Sequence, residues 1–137
     1  MRLPTGRNPA RTALQAICVP APRHKMTAVI EETIADPAFA WAELLELAIN
    51  GKVICLLAET LTSGGVPEAI PPRLLRFLGR ELRCNLHATR IYRAEVVRIA
   101  AAARQAGITC AAVKGIAAES ALYGGRGARQ FSDIDPS

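Results

Sequence analysis

The sequence predicts an α+β protein, with a mainly helical region over residues 26–106 followed by a short strand–helix–strand unit over residues 107–137. Three observations predict it. Apolar residues recur at three- and four-residue steps between Phe39 and Ala103, which is the period of a helix with one buried face. After Gly107 that period gives way to a continuous apolar run with β-branched members, Ile108, Thr109, Cys110, Ala111, Ala112 and Val113, as in a buried strand. Phe131-Ser132-Asp133-Ile134-Asp135 then alternates with a strand's period of two.

Each element has a local reason. Residues 1–25 are rich in Pro, Arg and small residues and lack apolar periodicity. They are expected to be a disordered basic leader, or the product of a start placed too far upstream, with Met26 rather than Met1 as the true one. From Asp36 the pattern turns helical: Asp36 can cap, and Pro37 suits a first helical turn. Phe39, Trp41, Leu44, Leu45, Leu47 and Ala48 then share an apolar face, and Asn50-Gly51 stops the helix. A second helix covers about residues 53–61 and ends at Ser63-Gly64-Gly65.

Pro72 opens a long helix reaching about Ala106, with Gly107 as its C-terminal cap. Leu75, Leu78, Leu82 and Leu86, continued by Tyr92, Val96, Ile99 and Ala103, form its apolar seam. Arg73, Arg76, Arg80, Arg83, His87 and Arg90 repeat in the same rhythm on another face, and read as a solvated stripe paired with the acid-rich first half. Lys114-Gly115 ends the first strand, residues 116–123 make a two-turn helix, and Gly124, Gly125 and Gly127 form a loop around Arg126.

Composition narrows the function. The 137 residues are 50% hydrophobic, a length and balance for one domain. The longest apolar stretch, residues 53–58, is far short of the ~20 residues a membrane span needs, so no membrane partner is expected. Five of the 17 basic residues lie in residues 1–25, which hold no acid, leaving 12 bases against 12 acids in the remainder. The net charge of +5 is therefore a property of the leader, and with no aromatic interleaving a nucleic-acid partner is the less favoured reading. Cys18, Cys55, Cys84 and Cys110 form no C-x-x-C pair and no cysteine–histidine cluster, which points to reduced thiols in the cytoplasm.

The chemistry concentrates in the last thirty or so residues. On a strand Asp133 and Asp135 project to one side, ~6–7 Å apart, a hard oxygen pair suited to Mg²⁺ beside phosphate oxygens. Lys114-Gly115 feeds into a helix N-terminus, where backbone N–H groups and the dipole favour an anion. Arg129 lies four residues before Asp133, within reach of the same phosphates or of the carboxylates.

Ala112-Val113-Lys114-Gly115, Leu122-Tyr123, Arg129 and Ser132-Asp133-Ile134-Asp135 together resemble the core signature of the uncharacterised bacterial nucleotidyltransferase family, within the DNA polymerase β-like superfamily. Trp41, Leu44, Ala48, Val53 and Leu56-Leu57-Ala58 are similar to its helical N-terminal region. The resemblance implies that residues 107–137 start a nucleotidyltransferase sheet. It further implies that Asp133 and Asp135 are catalytic carboxylates holding Mg²⁺, that Lys114, Gly115 and Arg129 contact the phosphates of a nucleoside triphosphate, and that the nucleotidyl group passes to an unknown acceptor.

Two features depart from the pattern. The superfamily more often has Gly-Ser or Gly-Gly where Lys114-Gly115 stands, and it uses a third carboxylate on a later strand, whereas Pro136 and Ser137 follow Asp135. The expectation is a truncated front portion, inactive by itself, whose exposed strand edge favours self-association. The alternative is a non-catalytic helical interaction or nucleotide-binding module derived from the same family.

Overall fold

The computed structural model describes residues 8–19, 23–63, 67–130 and 135–136. Helix α1 (Pro9–Cys18) starts where the Asn8 side chain accepts the N–H groups of Ala10 at 3.0 Å and Arg11 at 3.3 Å, with Pro9 in the first turn. Its Ala10, Ala13 and Ile17 are buried. Residues 8–19 therefore differ from the disordered leader expected of them: Ala10, Ala13 and Ile17, at steps of three and four, make a face that packs closely on its neighbours. Helix α2 (Arg23–Ile34) returns along α1 and buries Ile30, Thr33 and Ile34.

Asp36 does not start a helix. Its carboxylate accepts the Ala38 N–H at 2.8 Å and its carbonyl accepts the Phe39 N–H at 2.9 Å, closing a tight turn before α3 (Trp41–Asn50). Phe39, buried in that turn, packs edge-on against Trp41 with ring centroids 4.9 Å apart. Helix α4 (Ile54–Ser63) and a 3₁₀ turn at Pro67–Ala69 lead to α5 (Pro72–Gln105), opened by Pro72 as expected and ended beside Gly107 at φ +71°. Leu44 and Ala48 of α3, Leu57, Ala58 and Leu61 of α4, and Leu74 and Leu78 of α5 join Ala13 and Ile17 of α1 in one core.

At 34 residues α5 is about 51 Å long, and only its first part belongs to that core. Of the expected seam, Leu78 is buried while Leu75 and Leu82 are half-buried. The face that packs instead carries Leu74, Leu78, Asn85 and Thr89. Past Thr89 no residue of the helix is buried, and Ile91 and Val97 are exposed.

The expected α+β class is corrected: the chain is mainly helical, and the described residues beyond 107 do not build the expected strand–helix–strand unit of a sheet. Among the described residues, extended pairing is limited to an antiparallel ladder of two residues on each side, Ala112 opposite Pro136 and Val113 opposite Asp135. Residues 108–111 are irregular and exposed, Ile108 at 61%. An apolar run becomes a buried strand only when partners take its N–H and C=O groups and a second layer covers it. Among the described residues Ile108 spends its N–H on the Ala103 carbonyl at 2.8 Å, closing the end of α5, residues 108–111 stay exposed, and Pro136 brings no N–H to the ladder. Phe131, Ser132, Asp133 and Ile134, the body of the second expected strand, lie outside the described residues. No described helix is long and apolar enough to cross a membrane.

Candidate nucleotide site

Two pieces of the predicted site hang on α6 (Gly115–Tyr123). The first is the corner at its N-terminus. Lys114 turns the chain from Val113 into the helix at φ 59°, ψ −128°, a backbone conformation that costs a residue with a side chain about 1–3 kcal/mol. Its carbonyl accepts the Ala118 N–H at 2.7 Å. The N-cap residue Lys114 makes no side-chain cap, so among the described residues the first-turn N–H groups at Gly115 and beyond present the positive end of the helix. Asp135 pairs with Val113, the residue just before Lys114. The register thus brings the backbone of Asp135 to the Lys114–Gly115 corner. Asp133, and the side chain of Asp135, lie outside what is described.

The second piece is the loop that carries Arg129. Glu119 is fully buried in α6; its Oε1 accepts the Gly127 N–H at 2.6 Å and its Oε2 accepts the Arg129 N–H at 2.9 Å. From the opposite side, Asn85 of α5 donates its Nδ2 to the carbonyls of Gly127 at 2.6 Å and Arg129 at 2.9 Å. Both backbone groups of Arg129 are therefore held. Asn85 is backed by Thr89, whose hydroxyl donates to the Asn85 carbonyl at 2.8 Å. The approach is close enough to require glycine at 127: its φ is +75°, and an added Cβ would lie 3.0 Å from Leu86 Cα. Arg126 reaches Glu59 of α4 at 3.5 Å.

Arg129 Nε and Gln130 Oε1 are buried with no hydrogen-bond partner among the described residues. A guanidinium N–H in that state gains most from an anionic acceptor, whether a phosphate or a carboxylate.

Of the predicted residues, Asp135, Lys114 and Gly115 meet at one corner, and Arg129 is anchored from Glu119, about 6 Å further along α6 from Gly115. Glu119 and Asn85 were not foreseen. A signal for the first existed: Glu119 is the sole acid between Glu95 and Asp133, set in an otherwise apolar helix. Asn85 sits on a helix dominated by arginine and leucine, and its partners are 42 and 44 residues away, so nothing local marks it.

Among the described residues no three His, Cys, Asp or Glu side chains gather into a cation site. Of the two acids expected to serve a hard divalent ion, Asp135 has its backbone paired with Val113 beside the corner. A family model described as "uncharacterised nucleotidyltransferase" matches residues 37–136. No curated protein and no solved structure matches the chain. The matched stretch runs from the Asp36 turn through α5, the Lys114 corner and the clamped Arg129 loop to Pro136. On that match the chain belongs to the uncharacterised nucleotidyltransferase family.

Proposed function

We propose that the Lys114–Gly115 corner, the Arg129 loop and the segment carrying Asp133 and Asp135 bind a nucleoside triphosphate with Mg²⁺ and transfer its nucleotidyl group to an acceptor. The pairing of Val113 with Asp135 carries this reading, because it joins the acid-bearing segment to a helix N-terminus primed for phosphate. Asp133 and Asp135 would hold Mg²⁺, which supplies charge neutralisation at the reacting phosphate. Lys114 sets a cation beside the triphosphate, and Gly115 leaves the backbone open to a close approach. Arg129, fixed at both backbone groups by Glu119 and Asn85, directs its guanidinium at the phosphates. The four cysteines are free, which supports a reducing, cytoplasmic setting.

Titration calorimetry with ATP or GTP checks the reading. Binding should require Mg²⁺ and be lost in Asp133→Asn and in Asp135→Asn while the helical circular dichroism is unchanged. Equal affinity with and without Mg²⁺, or in both variants, overturns it.

A further inference from the structure

The side of α5 turned away from the bundle carries Arg73, Arg76, Arg80, Arg83, His87 and Arg90, all exposed. At helical spacing these six fall within an arc of about 100° and span about 26 Å of helix, roughly 5 Å per basic residue. The arc lies opposite Leu74 and Leu78, through which α5 docks on α4. The expected pairing of this stripe with the acid-rich first half does not occur. None of the five arginines enters an ion pair among the described residues. Of the two acids on α5, Glu95 is engaged by Arg98 at 2.5 Å, and Glu81 sits off the arc.

The first half of the stripe borders a groove of about 770 Å³, lined among the described residues by Arg73, Leu75, Arg76, Phe77, Arg80 and Arg83. Phe77 is half-buried, and the Arg80 guanidinium stands 6.0 Å from its ring centroid. Phe77 thus stands beside the cations, with part of its surface packed on the bundle core and the rest open to the groove.

We infer that this face of α5 is a docking surface for single-stranded nucleic acid, with phosphates along the arginine row and a base against Phe77. Guanidinium groups without counter-charges attract a polyanion, and their planar forks match phosphate oxygens in pairs. A row of cations at regular intervals suits a chain with regularly repeated charge. The aromatic ring adds a stacking site that takes any base. A bilayer fits less well, because a membrane-lying helix needs a free apolar face, and this half of α5 uses its apolar face on the bundle. The surface is separate from the Lys114 corner and needs no transfer chemistry, so it stands or falls independently of the proposed activity.

Fluorescence anisotropy of a fluorescein-labelled single-stranded oligouridylate, titrated with the full chain, tests the inference. With about four phosphates neutralised, affinity should fall about 50-fold as salt rises from about 50 to about 200 mM. Arg76→Glu/Arg80→Glu should weaken binding at least ~10-fold more than Arg11→Glu/Arg104→Glu, which makes the same change in net charge at exposed positions off the stripe. Phe77→Leu, which keeps an apolar side chain in the groove, should cost about fivefold or more. Circular dichroism must give the same helicity for every variant compared. The inference is overturned if the two charge-reversal pairs lose affinity equally. It also fails if the oligonucleotide does not bind at low salt. Displacement of the oligonucleotide, at equal charge concentration, by polyglutamate or by phosphatidylglycerol vesicles would equally overturn it, since either would make the surface a general anion binder.

Discussion

The helical bundle and the Arg129 loop are held by opposite means. In the bundle, Leu44, Leu57, Leu61 and Leu78 are buried to 1% exposure or less within one apolar core. In the loop, a fully buried carboxylate and a carboxamide grip four backbone groups of Gly127 and Arg129. Apolar packing is non-directional: it stabilises the bundle as a whole but leaves each side chain some latitude. Hydrogen bonds to a buried carboxylate are directional and short-ranged, and they set one backbone in one place. A residue that must aim a guanidinium at a phosphate is better served by the second kind of support.

The contrast breaks most visibly in the core. Leu78→Ala should cost about 2–5 kcal/mol and lower the urea midpoint of the entire transition, because the cavity opens at the junction of α4 and α5. Amide exchange should rise throughout α3, α4 and the first half of α5 together. Protection that drops only near residue 78 would show the bundle to be less cooperative than its continuous core implies.

Glu119→Ala acts on the other region. It leaves the N–H groups of Gly127 and Arg129 without their acceptor, at about 1–3 kcal/mol for each that stays buried. The expected signature is local: exchange at residues 125–130 should rise well beyond that in α3 and α4. Glu119→Gln keeps one acceptor oxygen and should recover part of the protection. Nucleotide affinity, if it uses Arg129, should follow the same order across wild type, Gln and Ala. A uniform loss of protection throughout the chain would erase the distinction between the two regions.

The smallest effect is a pH dependence confined to the bundle. Cys55 of α4 is buried against α5, where its Sγ donates to the Glu81 carbonyl at 3.7 Å. Burial first, and then the charges of Glu81, Cys84 and Glu119, push the thiol up from 9.0 to about 11. An unfolded chain ionises this thiol above pH 9.0 while the folded chain holds it neutral. The stability it contributes is thus complete below pH 9.0 and is lost as pH rises through about 11. The urea midpoint should decline over that window and do so less steeply in Cys55→Ala. An unchanged slope in the variant would place the cause elsewhere.

Local chemistry determined several features without any tertiary information. Pro72 and Gly107 bracket α5, Asn50-Gly51 ends α3, and Lys114-Gly115 marks the start of α6, because caps and breakers act within a few residues of the chain. The sequence also singled out Lys114, Gly115, Arg129, Asp133 and Asp135; the backbone of Asp135 comes beside Lys114 and Gly115, and Asp133 lies outside the described residues. The sequence misled where one pattern allows two outcomes. Ile108 to Val113 has a buried strand's composition, yet composition cannot supply the partners and covering layer a strand requires. Ala10, Ala13 and Ile17 read as small residues in a basic leader, yet they fill a face that α2, α3 and α4 cover.

Only the tertiary structure decided which face of α5 turns inward, that Glu119 and Asn85 close on one loop, and that six basic residues stay unopposed on the far side. The physical reason is distance along the chain. Burial on a helix is chosen by what packs against it, and the Asn85 bonds reach across 42 and 44 residues, a separation over which periodicity and capping carry no information.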